Sequence, residues 1–205
     1  MLIDNLTYAS LEAEVIGRLR RDLSPEYRYH NAEHTLDVIE AAERLSRMEG
    51  LDESDRLLIR TAALLHDTGY LEGRKEHEVI SQRIARDYLT RLNIDEEQIR
   101  KVERMIAATR VPQQPQDLFD RILCDADLDY LGREDYFPLA SRMYAEFLHD
   151  GTVRNEAEWL ELQVKFLGAH RYFTDSAKRT REAGLNRQLE SLRAQYERSR
   201  SAARA

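Results

Sequence analysis

Apolar residues return at three- and four-residue intervals through nearly every segment of this chain, which commits those segments to amphipathic helices. Leu6, Leu11, Val15, Ile16 and Leu19 predict a first helix over 6–22, closed by Ser24-Pro25. Leu36, Ile39, Leu45 and Met48 mark a second, with Gly50 as its stop. Asp52 stands where it would cap a third, DESDRLLIRTAALLHD, with Asp55 in its first turn. A polar loop, TGYLEGRKE, leads to a fourth helix opened by His77, with Val79, Ile80, Ile84, Tyr88 and Leu89 inward. Asn93 or Asp95 caps a fifth, whose inward face is Ile99, Val102, Met105 and Ile106. The loop RVPQQPQ follows, then a helix packed through Leu118, Ile122 and Leu123 that runs into Asp125, Asp127 and Asp129 and ends at Gly132. Two further helices are expected over 134–149 and 155–171, the second with the stripe Trp159, Leu160, Val164, Phe166 and Leu167. After the break GAHRYFTDSA, Ser176 would cap a last helix carrying Leu185, Leu189 and Leu192. The expectation is an all-α fold of about eight or nine helices in a single domain over 1–195, with a basic, fraying tail over 196–205.

Composition narrows the partners. At 205 residues the chain is long enough to bury one real core. A formal charge of −7 disfavours a nucleic-acid polymer or an anionic membrane surface, while leaving room for a small anionic substrate met by local positive charge. The single Cys124 excludes an internal disulfide and fits a reducing compartment. No apolar run approaches about 18 residues, so no membrane span is expected. The N-terminal MLIDNLTYASLEAE lacks a basic-then-apolar leader pattern, and the expected location is the cytoplasm. The amphipathic terminal helices are compatible with a homodimer.

The chemistry gathers around TAALLHDTGY. An apolar helix that stops on His66-Asp67, just before Gly69, places an imidazole and a carboxylate where a buried segment opens outward. Such a pair alone is commonly no more than a helix end. Other candidates lie at usable spacings. His30 and His34, four apart, would share one face if the second helix began at or before His30, and Asn31 between them reads either as a helix cap or as part of the site. Within the acidic cluster Asp127 is the preferred ligand, Asp125 a carboxylate behind it, and Asp129 lies toward the other side of a helix. His34, His66, Asp67 and Asp127 together would neutralise one divalent ion, and Mn²⁺, Fe²⁺, Mg²⁺, Ni²⁺ or Zn²⁺ all suit such a set. Four ligands leave two octahedral positions for water and a substrate oxygen, the requirement for metal-assisted hydrolysis. His30 is then placed to protonate the departing oxygen, with Asp67 or Asp127 orienting the water. Arg110 is the first candidate for a phosphate clamp, ahead of Arg74 and Lys75; His77 and His170 are candidates for lining the site, and Tyr172 for packing.

The blocks YHNAEH, ALLHDTGY and ILCDADLDYLG, in that order over residues 28–132, resemble the HD-domain metal-dependent phosphohydrolases. YHNAEHTLDV is also similar to the matching stretch of class I cyclic-nucleotide phosphodiesterases, in which the histidine at the place of His30 is the proton donor and that at the place of His34 binds metal. The resemblance implies an all-helical fold, one divalent metal and hydrolysis of a small phosphate ester, often of a nucleotide or related metabolite. Departures narrow this. Thr109 stands where two-metal members carry a further histidine. The Glu-Asp pair of (p)ppGpp hydrolases and the GYP motif of cyclic-di-GMP hydrolases are both missing from the text after Asp67. The chain looks most similar to small stand-alone bacterial members. Two other readings stand beside the enzyme: a non-catalytic metal- or nucleotide-binding sensor or docking module, and a dinuclear-iron oxygenase using His77.

Overall fold

The computed structural model describes residues 1–202; residues 203–205, the end of the expected tail, lie outside them. Among the described residues are nine α-helices, two 3₁₀ turns and no strand, the expected all-α class. The backbone groups into two compact units, Met1–Leu128 and the segment from Asp129 onward.

The first unit contains α1 (Asn5–Asp22), α2 (Ala32–Met48), α3 (Glu53–Leu65), α4 (His77–Arg91), α5 (Glu96–Ala108) and α6 (Leu118–Asp127). Its centre is α3. Leu57, Leu58, Ile59, Ala62, Ala63, Leu64 and Leu65 are all buried, so this helix is covered on every side. It packs against α1, α2, α4, α5 and α6. Thr61, also buried, donates its hydroxyl to the Leu57 carbonyl at 2.8 Å and so brings no unpaired polar group into the core. Asp52 caps α3 as expected, accepting from the Asp55 amide at 2.9 Å. Leu64→Ala is expected to cost about 2–5 kcal/mol, because the five surrounding helices restrain collapse of the cavity. A urea midpoint shift worth less than about 1 kcal/mol would contradict that rigid centre.

Asn31 settles where α2 begins. Its side chain accepts from the Glu33 and His34 amides at 3.0 and 3.2 Å, and its Nδ2 donates to the Arg28 carbonyl at 2.9 Å. The helix therefore starts at Ala32, and His30 lies in the preceding bend rather than on a shared helical face with His34. The start of α6 is secured from α5. Arg104 bonds Asp117 and the fully buried Asp120, the latter at 3.1 Å, while Asp117 caps the helix through the Asp120 amide.

Between α3 and α4 the expected loop contains a 3₁₀ turn, Thr68–Leu71. Gly69 is required there. A Cβ on it would lie 2.0 Å from the His77 carbonyl oxygen, and its amide donates to the buried Ser81 hydroxyl at 2.8 Å. The start of α4 is thus drawn tightly against the residues following Asp67. Val79 departs from its expected inward place and is 52% exposed, and Leu6 is 84% exposed. Both sit in the first turn of a helix, where spacing alone does not say which side the core covers. Leu118, in the first turn of α6, is only half-buried for the same reason. Asp95 precedes α5 but its carboxylate makes no capping bond.

The second unit contains a 3₁₀ turn, Asp129–Gly132, then α7 (Tyr136–His149), α8 (Glu156–Ala169) and α9 (Asp175–Ala202). Asp129 is buried and held in a two-pronged pair by Arg181, at 2.7 and 3.0 Å. The cap of α9 is Thr174, whose hydroxyl accepts from the Ala177 amide at 3.2 Å; Ser176, the expected cap, is already inside the helix. Residues 196–202 of the expected tail continue α9 as helix. Among the described residues, no helix is long and apolar enough to cross a membrane.

Candidate metal centre

Three helices of the first unit deliver four side chains to one point. His34 comes from the first turn of α2, His66 caps the C-terminus of α3, Asp67 follows it, and Asp127 is the last residue of α6. His34 Nε2 lies 3.4 Å from both Asp67 Oδ2 and Asp127 Oδ1. His66 Nε2 lies 3.3 and 3.5 Å from the same two oxygens. The ligand atoms of His34, His66 and Asp127 all fall within 4.8 Å of one another.

The orientation of His66 is dictated by its other nitrogen. Nδ1 is 2.8 Å from the Ala63 carbonyl, which only accepts, so Nδ1 carries a proton and Nε2 faces the carboxylates. Among the described residues, His34 Nε2, His66 Nε2 and Asp67 Oδ2 are buried and make no hydrogen bond. Their separations exceed the roughly 2.7–2.9 Å of a charge-assisted hydrogen bond. Buried polar atoms left this way are costly unless positive charge lies between them. Two imidazoles and two carboxylates form a donor set for a borderline-to-hard divalent ion, so the residues present fit one.

Protons compete for the same place. Burial pushes both imidazoles down, but the Asp67 and Asp127 carboxylates outweigh it, raising His34 above the ordinary 6.5 and His66 well above it. Burial likewise pushes the carboxyls up, and the imidazoles overcome it, holding Asp127 down at about 2 and Asp67 well below 3.8. Raised imidazole values stabilise the metal-free chain fully below 6.5, and that contribution is lost as pH rises through the folded values. The depressed carboxyls stabilise it above 3.8, and that part is lost as pH falls through the folded values. A metal ion needs both imidazoles neutral. Mn²⁺ binding is therefore expected to release protons and to strengthen as pH rises from 6 to 8. Calorimetry in buffers of different ionisation enthalpy checks this; binding without proton release would contradict it.

Around the cage stand aromatic rings. His77 Nδ1 donates to the Arg74 carbonyl at 3.1 Å, and its Nε2 lies 3.5 Å from Asp67 Oδ1. Asp67 thus turns Oδ2 to His34 and His66 and Oδ1 to His77. The His30 ring centroid is 5.8 Å from that of His34, and its plane lies nearly parallel to Tyr70.

Residues 31–129 match the HD domain family model. This stretch is an HD domain. The match contains all four converging residues and begins one position after His30. Members of the HD superfamily are generally hydrolases, and HD domains bind divalent metals. A crystal structure of a predicted HD superfamily hydrolase from an uncultured Thermotogales bacterium shares the fold, with a TM-score of 0.62 and 20% identity over 93% of this chain and 97% of the other. No curated protein matches the chain in sequence at a significant level.

The other expected site residues are dispersed. Arg110 is exposed and lines a cavity of about 350 Å³ with Arg104, Pro112, Gln114 and Gln116, whose walls include none of the four converging residues. Lys75 is exposed and Arg74 half-buried at the approach to α4. His170 ends α8 in the second unit, its ring 4.7 Å from that of the buried Tyr172. Asp125 is fully buried. Tyr70, which carried no assignment in the sequence, emerges as the residue between the histidines; the signal for it was an aromatic directly after a glycine that permits close packing.

Proposed function

We propose that this HD domain is a divalent-metal-dependent phosphohydrolase acting on a small phosphate ester, with a nucleotide or related metabolite as the favoured class. The observation carrying this reading is the convergence of buried, hydrogen-bond-orphaned His34, His66 and Asp67 atoms with Asp127. Those four residues would hold the ion, which when bound would supply Lewis acidity to a phosphoryl oxygen and to the attacking water. Asp67 and Asp127 have acceptor oxygens with which to orient that water. His30 donates a proton to the leaving oxygen from beside the cage, and His77 Nε2 stands 3.5 Å from Asp67 Oδ1. Arg74, Lys75, Arg110 and His170 remain proposals for substrate contact. The test is a panel of phosphomonoesters, diesters and nucleotides with Mn²⁺ added to the full chain. Turnover abolished by chelator and restored by the ion supports the reading. Metal binding without turnover on any member favours the sensor module.

A further inference from the structure

We infer that Tyr70 is a positioning residue whose ring sets the place and plane of the His30 imidazole beside the His34–His66–Asp67–Asp127 cage; this rests on His30 being the proton donor. His30 lies in a bend outside α2, so helical periodicity does not aim its ring. Tyr70 does face it, with ring centroids 4.5 Å apart and planes only 14° from parallel. The same tyrosine ring lies 4.3 Å from that of His77 and receives the edge of Tyr27 at 5.0 Å and 74°. Tyr29 meets His30 edge-on at 4.9 Å and leans on His34 at 4.6 Å.

Tyr70 itself has little freedom. It is buried, and its amide donates to the Asp67 carbonyl at 3.1 Å within the 3₁₀ turn. Gly69 beside it is wedged against the His77 backbone. One short turn therefore carries both Asp67 and the ring against which His30 lies. That turn ties the ring beside the proton donor to the metal ligand Asp67. Parallel stacking constrains tilt as well as distance, and a donor displaced by about 1 Å can lose about a hundredfold in rate.

Tyr70→Leu and Tyr70→Phe, in the full chain with Mn²⁺, separate positioning from packing. Phenyl phosphate and diphenyl phosphate lose phenolate as the P–O bond breaks, a poor leaving group that needs a proton; the 4-nitrophenyl esters lose 4-nitrophenolate, which does not. Tyr70→Leu is expected to lower kcat for the phenyl esters by about 10- to 100-fold and for the 4-nitrophenyl esters by less than about threefold, with KM and metal content little changed. Tyr70→Phe, which keeps the ring, should restore turnover. In NMR spectra of the metal-free chain, the His30 ring protons should lie upfield under the Tyr70 ring, lose that shift in Tyr70→Leu and keep it in Tyr70→Phe. Equal losses on both ester classes, or His30 signals unmoved by Tyr70→Leu, would overturn the inference. Should His30→Ala fail to distinguish the leaving groups, the proton-donor reading falls by itself; the NMR result still decides whether Tyr70 places His30.

Discussion

Protein purified without chelator is expected to carry about one divalent ion per chain, and Asp67→Ala to carry essentially none. The effect should be large because Asp67 is shared. Its Oδ2 faces both imidazoles, and its Oδ1 faces His77, so one truncation removes a ligand and unseats three neighbours. Losing a residue that merely orients a ligand weakens metal binding by about 10- to 100-fold; losing Asp67 itself should exceed that. Elemental analysis of both proteins side by side decides it. Two ions in the wild type would promote His77 to a ligand and revive the dinuclear oxygenase. No ion in either protein, and none taken up from Mn²⁺, Ni²⁺ or Fe²⁺, would sink the catalytic reading.

His30→Ala should retain its metal while losing about 10²- to 10⁴-fold in kcat, the range of a positioned general acid. The two properties separate because His30 stands beside the cage and outside the group whose ligand atoms converge. A sensor would keep its ligand affinity after this change and lose nothing measurable. Unchanged turnover would remove His30 from the mechanism and direct attention to His77, the nearest remaining imidazole to Tyr70.

Much of this arrangement was legible in the sequence because local rules determined it. The apolar run ending at His66-Asp67 reads as a central helix that stops at a site, and α3 does so. Of the three acids DADLD offers, Asp127 faces the imidazoles, Asp125 is fully buried and Asp129 is taken by Arg181. What could not be read depended on partners distant in the chain. The fork from Arg181 to Asp129 spans 52 positions and leaves no local trace. Spacing left open whether His30 lies on the helix face or before the helix; Asn31 decides it by accepting from the amides of Glu33 and His34 and starting the helix after itself. Arg110 was drawn toward the site by its place before the last acid, yet the loop between them turns it to another cavity. Thr174 outcompeted Ser176 as a cap by two residues, a margin beyond what capping preference resolves.

Two helices, α3 and α6, end at the cage with their carbonyl termini, and each ends on or beside a carboxylate. A helix C-terminus carries roughly half a negative charge, so the fold focuses four negative contributions on one buried point. The consequence is an order of arrival. The imidazole protons of the bare site at most balance these charges, so a phosphorylated ligand finds no net attraction there, and attraction begins only when the cation offers it open coordination positions. Inorganic phosphate should therefore raise the melting temperature of the chain only when Mn²⁺ is already present, and the two should stabilise it together by more than the sum of each alone.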